Sequence, residues 1–530
     1  MTAAPAGAAA LVTALLRPEA YGHPAAAIEL IETHISWVIL TGDYAYKIKK
    51  PVDLGFLDFS TLELRRQCCH EEVRLNRRLA PEIYLDVVPV TGTTAQPRVG
   101  GAGPAIEYAV RMRQFPQQAQ FDRMLGRGEL GAAQIDAVAR LIAEFHRQAD
   151  VAGADTDYGG PALVLQPVEE NFRQVRACIG QDVPAQAQVE LLARWSRQAF
   201  ARLQDTIAAR KAAGCVRECH GDLHLRNLAW LDDRPLAFDC IEFNPALRWI
   251  DVISEVAFLI MDLEDHDQPS LARRFLNGYL EHSGDYAGAR VLPFYLAYRA
   301  MVRAKVEAIR AAQPDLAAAD RQTVLAAFHG YLVLAQGYTA PTRPALLVTR
   351  GLSASGKTTL TQPLLERLGA VRIRSDVERK RLFGLTALAA AGADAGQGIY
   401  TEAAGRRTYD RLAELADSVL AAGMPVIVDA ACLRLEQVAR FRALAAARGV
   451  ACAVLEFHAP AAVLRERIVS RERGASDADL VILEHQLSRW EPLPETAGEI
   501  CLRIDTCQPF AAADVQARLA ACGITLTSPI

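Results

Sequence analysis

The chain has 530 residues, of which 51% are hydrophobic and 23% charged, and its formal net charge is −4 at pH 7. This length is too great for one hydrophobic core and indicates several structural units of ordinary globular composition. The slightly negative charge gives no support to a large nonspecific nucleic-acid surface, although it is compatible with a local basic groove.

The first part of the chain predicts strands followed by helices. Apolar, β-rich segments predict strands at 36–40, 44–50, 84–90 and 105–115, the first two joined by a turn at 41–43. Helical periodicity follows the possible N-cap Thr61 over 61–80, and it dominates 136–210 and 249–336. This order predicts a two-lobed α+β unit.

The second part of the chain has a different pattern. Segment 337–344 contains two prolines and a glycine without apolar periodicity, which is typical of a linker. Beyond it, helices alternate with strands predicted at 345–350, 370–374, 425–430 and 451–457. Such alternation indicates an α/β domain with a parallel sheet. We therefore expect two domains, 1–338 and 343–530.

Several polar residues crowd into the segment HGDLHLRN at 220–227. Asp222 precedes Asn227 by five residues, and Asp239 ends a short hairpin that follows. Phosphoryl transfer from ATP needs a carboxylate near the acceptor hydroxyl and oxygen ligands for magnesium. This loop and the end of the hairpin supply all of these groups.

The segment resembles the HGDxHxxN loop of the aminoglycoside and choline kinase-like phosphotransferases, which are relatives of the protein kinases. The resemblance implies a two-lobed, protein-kinase-like fold and a catalytic base at Asp222. It also implies that Asn227 and Asp239 bind magnesium, with Glu242 near the metal or the acceptor.

The resemblance extends to the upstream strand and helix. Lys47 in YAYKIKK fits the strand lysine that holds the α and β phosphates of ATP, and Glu72 in HEEVRLN fits its helix partner. Lys49 shares the strand face of Lys47 and is an alternative to it. Glu71 is the corresponding alternative to Glu72, because the register of the helix is open.

The same resemblance assigns the adenine side of the site. Segment 110–115, with Arg113 and Phe115, would connect the two lobes and face the adenine ring. No GxGxxG covers the phosphates, and only Gly42 lies in the turn between the first two strands. The antibiotic kinases also lack a strict glycine loop, so this departure separates the chain from protein kinases. A pseudokinase or a structural polar loop is the alternative.

The segment GLSASGKTT at 351–359 follows an apolar strand and satisfies G-x-x-x-x-G-K-[ST]. Its backbone N–H groups would converge on phosphate oxygens, helped by the N-terminus of the next helix. Lys357 would neutralise the β and γ phosphates, and Thr358 would reach magnesium. The predicted nucleotide-binding residues are Gly351, Ser353, Ala354, Ser355, Gly356, Lys357, Thr358 and Thr359.

Carboxylates and arginines complete the predicted P-loop site. Asp376 follows the second strand, where P-loop kinases carry a carboxylate that faces the acceptor, and Asp429 occupies the place of a Walker-B carboxylate that binds magnesium. Arg467 and Arg471 share a helix face suited to a lid over the transferred phosphate. The alternative is a solvated helix on which these arginines pair with neighbouring glutamates.

The second half resembles the P-loop kinases that include gluconate kinases, polynucleotide 5′-kinases and zeta-type toxins. The tandem as a whole resembles bacterial proteins described as bifunctional aminoglycoside phosphotransferase-like and AAA-type ATP-binding proteins. The stretch ETHISWVILTGDYAYKIKKPVDLGFLDFS is especially similar to that group.

The N-terminal segment and the cysteines favour a cytoplasmic location. The first residues lack the basic segment of a secretion signal, and no apolar run approaches the length of a bilayer span. The eleven cysteines are scattered without a CxxC pair, as is typical of reduced thiols. Cys215, Cys219 and His220 lack the spacing of a zinc knuckle, so we expect no structural zinc. The lack of a long apolar run likewise leads us to expect no membrane partner.

These patterns predict an ATP- and Mg²⁺-dependent phosphotransferase with two kinase-like sites. Each site would transfer the γ-phosphate to a hydroxyl of a small molecule, such as a sugar, an amino sugar or an aminoglycoside-like compound. The alternative is a pseudokinase-type sensor that regulates a P-loop kinase acting on nucleotides or nucleic-acid ends. No stacked aromatic platform supports that alternative. The patterns assign neither acceptor and no oligomeric state.

Overall fold

The structure is a computed structural model that describes residues 6–25, 27–53, 55, 57–180, 182–314, 316–387, 399, 401–470, 479–494 and 499–526. The chain divides into two compact units. The first comprises Met1–Ala137, Phe145–Val164 and Ile207–Leu259, and the second comprises Val138–Glu144, Leu165–Thr206 and Ile260–Ile530. None of the described helices combines the length and apolar character that crossing a membrane requires.

An antiparallel sheet is the centre of the first unit. Its strands are β1 (Glu29–Glu32), β2 (Ser36–Leu40), β3 (Tyr44–Lys49), β4 (Tyr84–Thr93), β5 (Gln96–Val99) and β6 (Ala105–Arg113). Among the described residues these six strands follow the order β1-β2-β3-β6-β4-β5. The helices up to residue 212 are α1 (Ala6–Leu15), α2 (Leu62–Asn76), α3 (Phe121–Gly126), α4 (Ala132–Gln148), α5 (Pro161–Cys178) and α6 (Val183–Ala212).

The two faces of this sheet pack against different helices. Alternate residues of β3, such as Tyr46 and Ile48, share a buried apolar cluster with Leu15 of α1. Ala45, on the opposite face, shares another cluster with Val73 of α2. Because side chains alternate along a strand, Lys47 and Lys49 lie on the α2 face with Ala45.

Helix α2 begins where the sequence predicts. The Thr61 hydroxyl accepts a hydrogen bond from the Leu64 N–H at 3.2 Å, so Thr61 is an N-cap. Within the helix, the buried Arg65 donates from Nε to both carboxylate oxygens of Glu107 in β6 at 3.0 Å. These contacts fix the helix over the sheet face that carries the two lysines.

Short strands surround the loop 220–227. They are β7 (Val216–Glu218), β8 (Leu228–Leu231), β9 (Arg234–Ala237) and β10 (Trp249–Asp251). Strands β8 and β9 form an antiparallel hairpin, and β7 pairs with β10. The helices that follow are α7 (Val252–Asp265), α8 (Pro269–Ser283), α9 (Leu292–Ala311) and α10 (Ala318–Gly337). Strands followed by helices confirm the predicted α+β architecture of this part.

A parallel sheet dominates the remainder of the second unit. Its strands are β11 (Ala345–Arg350), β12 (Val371–Arg374), β13 (Val426–Asp429), β14 (Ala451–His458) and β15 (Ile500–Asp505). In the part of the chain that is described, their order is β12-β13-β11-β14-β15, with every neighbouring pair parallel. The helices are α11 (Lys357–Leu368), α12 (Ser375–Leu382), α13 (Glu402–Ala421), α14 (Leu435–Arg448), α15 (Ala461–Ser470), α16 (Leu480–Ser488) and α17 (Ala512–Ala521).

The α/β prediction for this part is confirmed, and β15 is an additional strand that sequence patterns did not indicate. The order places β11 in the middle of the sheet, between β13 and β14. Because the strands are parallel, the loop after β11 and the end of β13 meet at the carboxyl edge, where α/β sheets bind ligands.

Helix α8 belongs to the same compact unit as the parallel sheet. Its Asn277 side chain donates to the carbonyl oxygen of Ala370 at 3.0 Å and accepts from the N–H of Arg372 at 2.7 Å. Strand β12 is an edge strand, and these are backbone groups that face away from its neighbour β13. Asn277 therefore takes the place of a further strand. The domain boundary between 338 and 343 stays a prediction.

We expect the fragment 343–530, which lacks α8, to have a weakened edge at β12. Because one buried hydrogen bond contributes about 1 kcal/mol, the Arg372 amide should exchange about fivefold faster or more than in the full chain, as measured by hydrogen–deuterium exchange. Asn277→Ala in the full chain should reproduce this change with all helices present. Equal exchange in the three proteins would contradict a structural role of α8 and favour the boundary after 338.

Candidate active sites

A buried cluster of opposite charges lies between β3, α2 and the segment after β9. The Lys47 Nζ atom is 2.8 Å from Glu72 Oε1 and also pairs with Asp239. The Lys49 Nζ atom is 2.7 Å from Glu72 Oε2 and also pairs with Glu242. Glu72 is completely buried, whereas 44% of the Asp239 side chain is exposed. The cluster therefore opens to solvent at Asp239.

The charges of the cluster stabilise one another. Burial alone would raise the pKa of the Glu72 carboxyl, but the two ammonium groups outweigh it and lower the pKa to about 2. Burial also opposes the charge on Lys47, but Asp239, Glu72 and Glu242 hold the pKa of its ammonium group well above the usual range. Burial likewise opposes the charge on Lys49, but Glu242 and Glu72 raise the pKa of its ammonium group. Glu72 and both lysines are therefore ionised at neutral pH.

The structure thus brings both candidate lysines to Glu72. Glu71, the alternative partner, faces elsewhere: its carboxylate lies 2.7 Å from both Arg74 and Arg248. One helical residue therefore contacts two strand residues, because Lys47 and Lys49 project from the same face of β3. Sequence patterns left open which lysine pairs with which glutamate. In the structure both Lys47 and Lys49 pair with the carboxylate of Glu72.

The loop 220–227 is held by its own side chains. The Asn227 amide donates to both the carbonyl oxygen and Oδ2 of Asp222 at 3.0 Å, which directs the amide oxygen away from Asp222. His224 Nε2 lies 3.3 Å from Asp222 Oδ2. His220 Nε2 lies 2.8 Å from the carbonyl oxygen of Phe238, and burial lowers the pKa of its imidazole, so the neutral ring donates this bond. These bonds fix the Asp222 carboxylate near the surface.

Two further residues support this loop, and sequence reasoning missed both. The Glu255 carboxylate accepts the Gly221 N–H at 2.6 Å and lies 2.9 Å from His146 Nε2. Burial alone would raise the pKa of the Glu255 carboxyl, but His146 and the Gly221 N–H lower it to about 2. The signal was present: Glu255 is the one acidic residue in the apolar stretch 252–261.

The segment predicted to face adenine connects to the β2–β3 turn. The Gln114 side-chain oxygen accepts from the N–H groups of Thr41 and Gly42 at 3.1 and 2.9 Å. Phe115 packs edge-to-face on Phe238 at a centroid distance of 5.3 Å, one residue before Asp239. Arg113, at the end of β6, is exposed. Gln114 lies within the predicted segment 110–115, but the sequence prediction singled out only Arg113 and Phe115 there.

The P-loop of the second unit adopts a backbone that its glycines require. Gly351 has φ +149°, and a Cβ atom there would lie 2.4 Å from the carbonyl oxygen of Phe457. Gly356 has φ +84°, in the left-handed region. The Lys357 ammonium donates to the carbonyl oxygens of Gly351 and Leu352, both at 2.8 Å, and so spans the loop. Ser353, Ala354, Thr358 and Thr359 line the adjoining cavity.

Thr358 and Asp429, the residues that the sequence predicts to hold magnesium at the P-loop, contact each other. The Thr358 hydroxyl donates to Asp429 Oδ2 at 2.7 Å, and Asp429 ends β13 beside the P-loop strand. Burial lowers the pKa of the Lys357 ammonium group, and the carboxylates of Asp429 and Asp376 oppose this shift. Hydroxyl and carboxylate oxygens are ligands that Mg²⁺ prefers, so the donor set fits that ion.

A cavity of about 890 Å³ extends from the P-loop. Asp376 and Arg467 both line it. Asp376 lies 3.2 Å from Arg379, and Arg467 donates to the hydroxyl and carbonyl oxygens of Thr506 at 2.8 Å. These contacts place Arg467 at the cavity wall. Arg471, the second predicted lid arginine, lies outside the described residues.

Sequence reasoning also missed the contribution of α16 to this cavity. The Gln486 side-chain oxygen accepts the Ser353 N–H at 2.7 Å, so α16 contacts the P-loop directly. Trp490, the one tryptophan after residue 340, packs on the buried Arg350 guanidinium at 4.0 Å from the ring centre. Its indole therefore serves the packing of the P-loop strand.

Comparisons with known proteins match the regions of the two candidate sites to two different family models. A model described as the phosphotransferase enzyme family matches residues 64–292, and a model described as an AAA domain matches residues 346–493. Uncharacterized protein Rv2004c of Mycobacterium tuberculosis is 32% identical over 486 residues, which cover 91% of this chain and 93% of that protein.

Solved structures match the two regions separately. A choline/ethanolamine kinase family protein from Mesorhizobium loti is 12% identical and covers 60% of this chain and 89% of its own, with a TM-score of 0.38. A gluconokinase from Sinorhizobium meliloti is 22% identical and covers 34% of this chain and 92% of its own, with a TM-score of 0.25.

The matched families define the class of protein as a phosphotransferase, and they confirm the predicted order of a phosphotransferase-family region before a P-loop region. With 32% identity over nearly its full length, the chain belongs to the same family as Rv2004c of Mycobacterium tuberculosis.

We expect the two lysines of the charge cluster to differ in their roles. Lys47→Ala should weaken binding of an ATP analogue at the first site by about tenfold or more, because its ammonium lies at the solvent-facing edge beside Asp239. Lys49→Ala should mainly lower stability, by about 3 kcal/mol or more, because it leaves Glu242 buried and unpaired. Analogue titrations and thermal unfolding of each variant measure the two effects.

Lys50→Ala is the matched control for this pair. The Lys50 ammonium pairs with Glu32, whose side chain is 59% exposed, outside the cluster. The Lys50→Ala variant should lose neither the analogue affinity that Lys47→Ala loses nor the stability that Lys49→Ala loses. A larger loss of nucleotide affinity in Lys49→Ala than in Lys47→Ala would overturn the assignment.

Proposed function

We propose that this protein transfers the γ-phosphate of ATP to hydroxyl groups of small molecules at two separate Mg²⁺-dependent sites. One observation carries the proposal: each compact unit holds a lysine, a carboxylate suited to the acceptor and oxygen ligands suited to magnesium. In the first unit these are Lys47, Asp222 and the pair Asn227 and Asp239. The proposed domains are 1–338 and 343–530.

In the first site, Asp222 would orient the acceptor hydroxyl and take its proton as the new O–P bond forms. The bond between the γ-phosphorus and the bridging oxygen breaks, and ADP leaves. Lys47, held by Glu72, would bind the phosphate oxygens, while Asn227 and Asp239 would hold Mg²⁺. The ion, when bound, neutralises phosphate charge. Asn227 serves twice, because its N–H group also fixes Asp222.

In the second site, the N–H groups of the P-loop and the Lys357 ammonium would hold the phosphates of a second ATP. Thr358 and Asp429 would hold Mg²⁺, which supplies the same neutralisation of charge. Asp376 would face the acceptor hydroxyl across the cavity, and Arg467 would contact the transferred phosphate from the cavity wall.

Small-molecule acceptors suit this geometry better than nucleic acid. The cavity beside the P-loop is concave and of the size that small-molecule sites have. Stacking of bases needs exposed aromatic faces, and Trp490 is engaged with Arg350. We further propose a cytoplasmic location, because ATP is the donor and all eleven cysteines are free thiols.

The proposal predicts that the acceptor-facing carboxylates are needed for transfer and not for nucleotide binding. Asp222→Asn should abolish labelling of the first acceptor, and Asp376→Asn that of the second, each lowering transfer by about a hundredfold or more. Both variants should bind an ATP analogue nearly as wild type does. Lys357→Ala should remove nucleotide binding at the P-loop. Each variant should spare the other reaction.

The measurement uses the full chain with γ-labelled ATP and a metabolite extract, followed by identification of the labelled products. Asp233→Asn, in the turn between β8 and β9, is the matched control, because its left-handed backbone at φ +57° tolerates asparagine. If Asp222→Asn left every product unchanged, a pseudokinase-type first unit would be the better account. Loss of both reactions in Asp222→Asn would indicate regulation of one site by the other, or sequential reactions on one acceptor.

A further inference from the structure

One arginine at the P-loop cavity is shared between two carboxylates. Arg374 ends β12 and lines the cavity. Its Nη1 atom lies 2.8 Å from Glu281 Oε1, whereas its Nε atom lies 4.0 Å from Asp429 Oδ2. Glu281 therefore forms the closer pair. Asp429 is the carboxylate that we place in the magnesium site.

Glu281 lies in α8, outside the residues of the AAA-domain match. It reaches Arg374 because the spacing of residues along the helix matches the spacing of residues along the strand. Asn277 and Glu281 are four residues apart, about 6 Å along a helix, and Arg372 and Arg374 are two residues apart, about 6.6 Å along a strand. Asn277 accepts from the Arg372 N–H, and Glu281 pairs with Arg374. The helix thus follows the edge strand with both contacts in register.

The Glu281–Arg374 pair is also protected from water. Each side chain is 18% exposed, so the attraction is stronger than that of a surface pair. The Arg381 guanidinium donates to the carbonyl oxygen of Glu281, which fixes the end of α8 against α12. The backbone of Glu281 is therefore fixed by Arg381, and its carboxylate is fixed by Arg374.

Without Glu281, the Arg374 guanidinium would have Asp429 as its nearest carboxylate. Arginine and carboxylate form strong bidentate pairs, and such a pair would occupy the oxygens of Asp429 and neutralise its charge. Magnesium would then compete with a fixed guanidinium for the same carboxylate. Thr358, which donates to Asp429, would lose its partner in the same rearrangement.

We propose that Glu281 is a positioning residue of the P-loop site, which holds Arg374 away from Asp429 and so keeps Asp429 available to Mg²⁺. This inference rests on the proposed function of the P-loop site. It makes the magnesium affinity of that site depend on a helix that lies within the phosphotransferase-family match.

The test is the Mg²⁺ dependence of nucleotide binding in the full chain. A fluorescent ATP analogue is titrated at Mg²⁺ concentrations from micromolar to millimolar, and binding at the P-loop is the component that Lys357→Ala removes. Glu281→Gln should raise the Mg²⁺ concentration needed for half-maximal binding by about tenfold or more, because the released Arg374 would then pair directly with a metal ligand, and changes in such direct partners cost about tenfold or more in affinity. Binding of the analogue without Mg²⁺ should equal that of wild type. General destabilisation of the fold would instead weaken binding both with and without Mg²⁺.

Glu366→Gln is the matched control. Glu366 of α11 pairs with Arg274 of α8 at 2.8 Å, a comparable ion pair that does not line the cavity. It should leave the Mg²⁺ dependence unchanged, and thermal unfolding of both variants reports any common structural effect.

A double variant separates competition from simple misplacement of Arg374. In Glu281→Gln/Arg374→Ala the competing cation is gone, so the Mg²⁺ requirement should return toward that of wild type. A requirement that stays raised in the double variant, or a Glu281→Gln variant that behaves as Glu366→Gln does, would overturn the inference alone. A wild-type chain with no P-loop binding component would overturn the proposed function of that site and the inference with it.

Discussion

The buried pairing of two lysines with three carboxylates is the interaction on which the first site depends. Burying ions costs several kcal/mol each unless partners compensate, so the positions of β3, α2 and the segment after β9 are tied to one another. The cluster's three carboxylates face two ammonium groups, and burial raises the pKa of the Glu242 carboxyl within it. Asp239 alone among its members is substantially exposed, so its carboxylate lies at the open edge, where we propose that Mg²⁺ binds. One arrangement thus serves both the fold and the proposed chemistry.

Local patterns predicted the parts of both sites that are local. The alternation of YAYKIKK placed Lys47 and Lys49 on one strand face, and G-x-x-x-x-G-K-[ST] located the P-loop to the residue. The segment HGDLHLRN likewise contains its own hydrogen bonds, since Asn227 contacts Asp222. Sequence could not decide between Lys47 and Lys49, because alternation places both on the same face of the strand. In the structure both lysines pair with Glu72.

The supporting residues escaped prediction because their partners are distant in sequence. Glu255 contacts His146 across 109 positions, and Asn277 contacts Arg372 across 95. Propensity and periodicity describe neighbours within a few turns, and they carry no information on pairs of such separation. A buried glutamate in an apolar helix signals that some partner exists, but it does not name that partner. The same limit applies to Gln486, whose bond to Ser353 joins α16 to the P-loop.

The edge of the parallel sheet is covered by α8, a helix that precedes the sheet in the chain. An edge strand exposes unpaired backbone groups that must be covered or paired, and Asn277 satisfies one on β12 and one on Ala370, the residue before it. The helix that does so also presents Glu281 to Arg374, because both contacts follow from one register between helix and strand. A shift of α8 along β12 would break both contacts together. Structural protection of the edge and positioning of Arg374 are therefore a single constraint, and the P-loop site includes a helix from outside its own sheet.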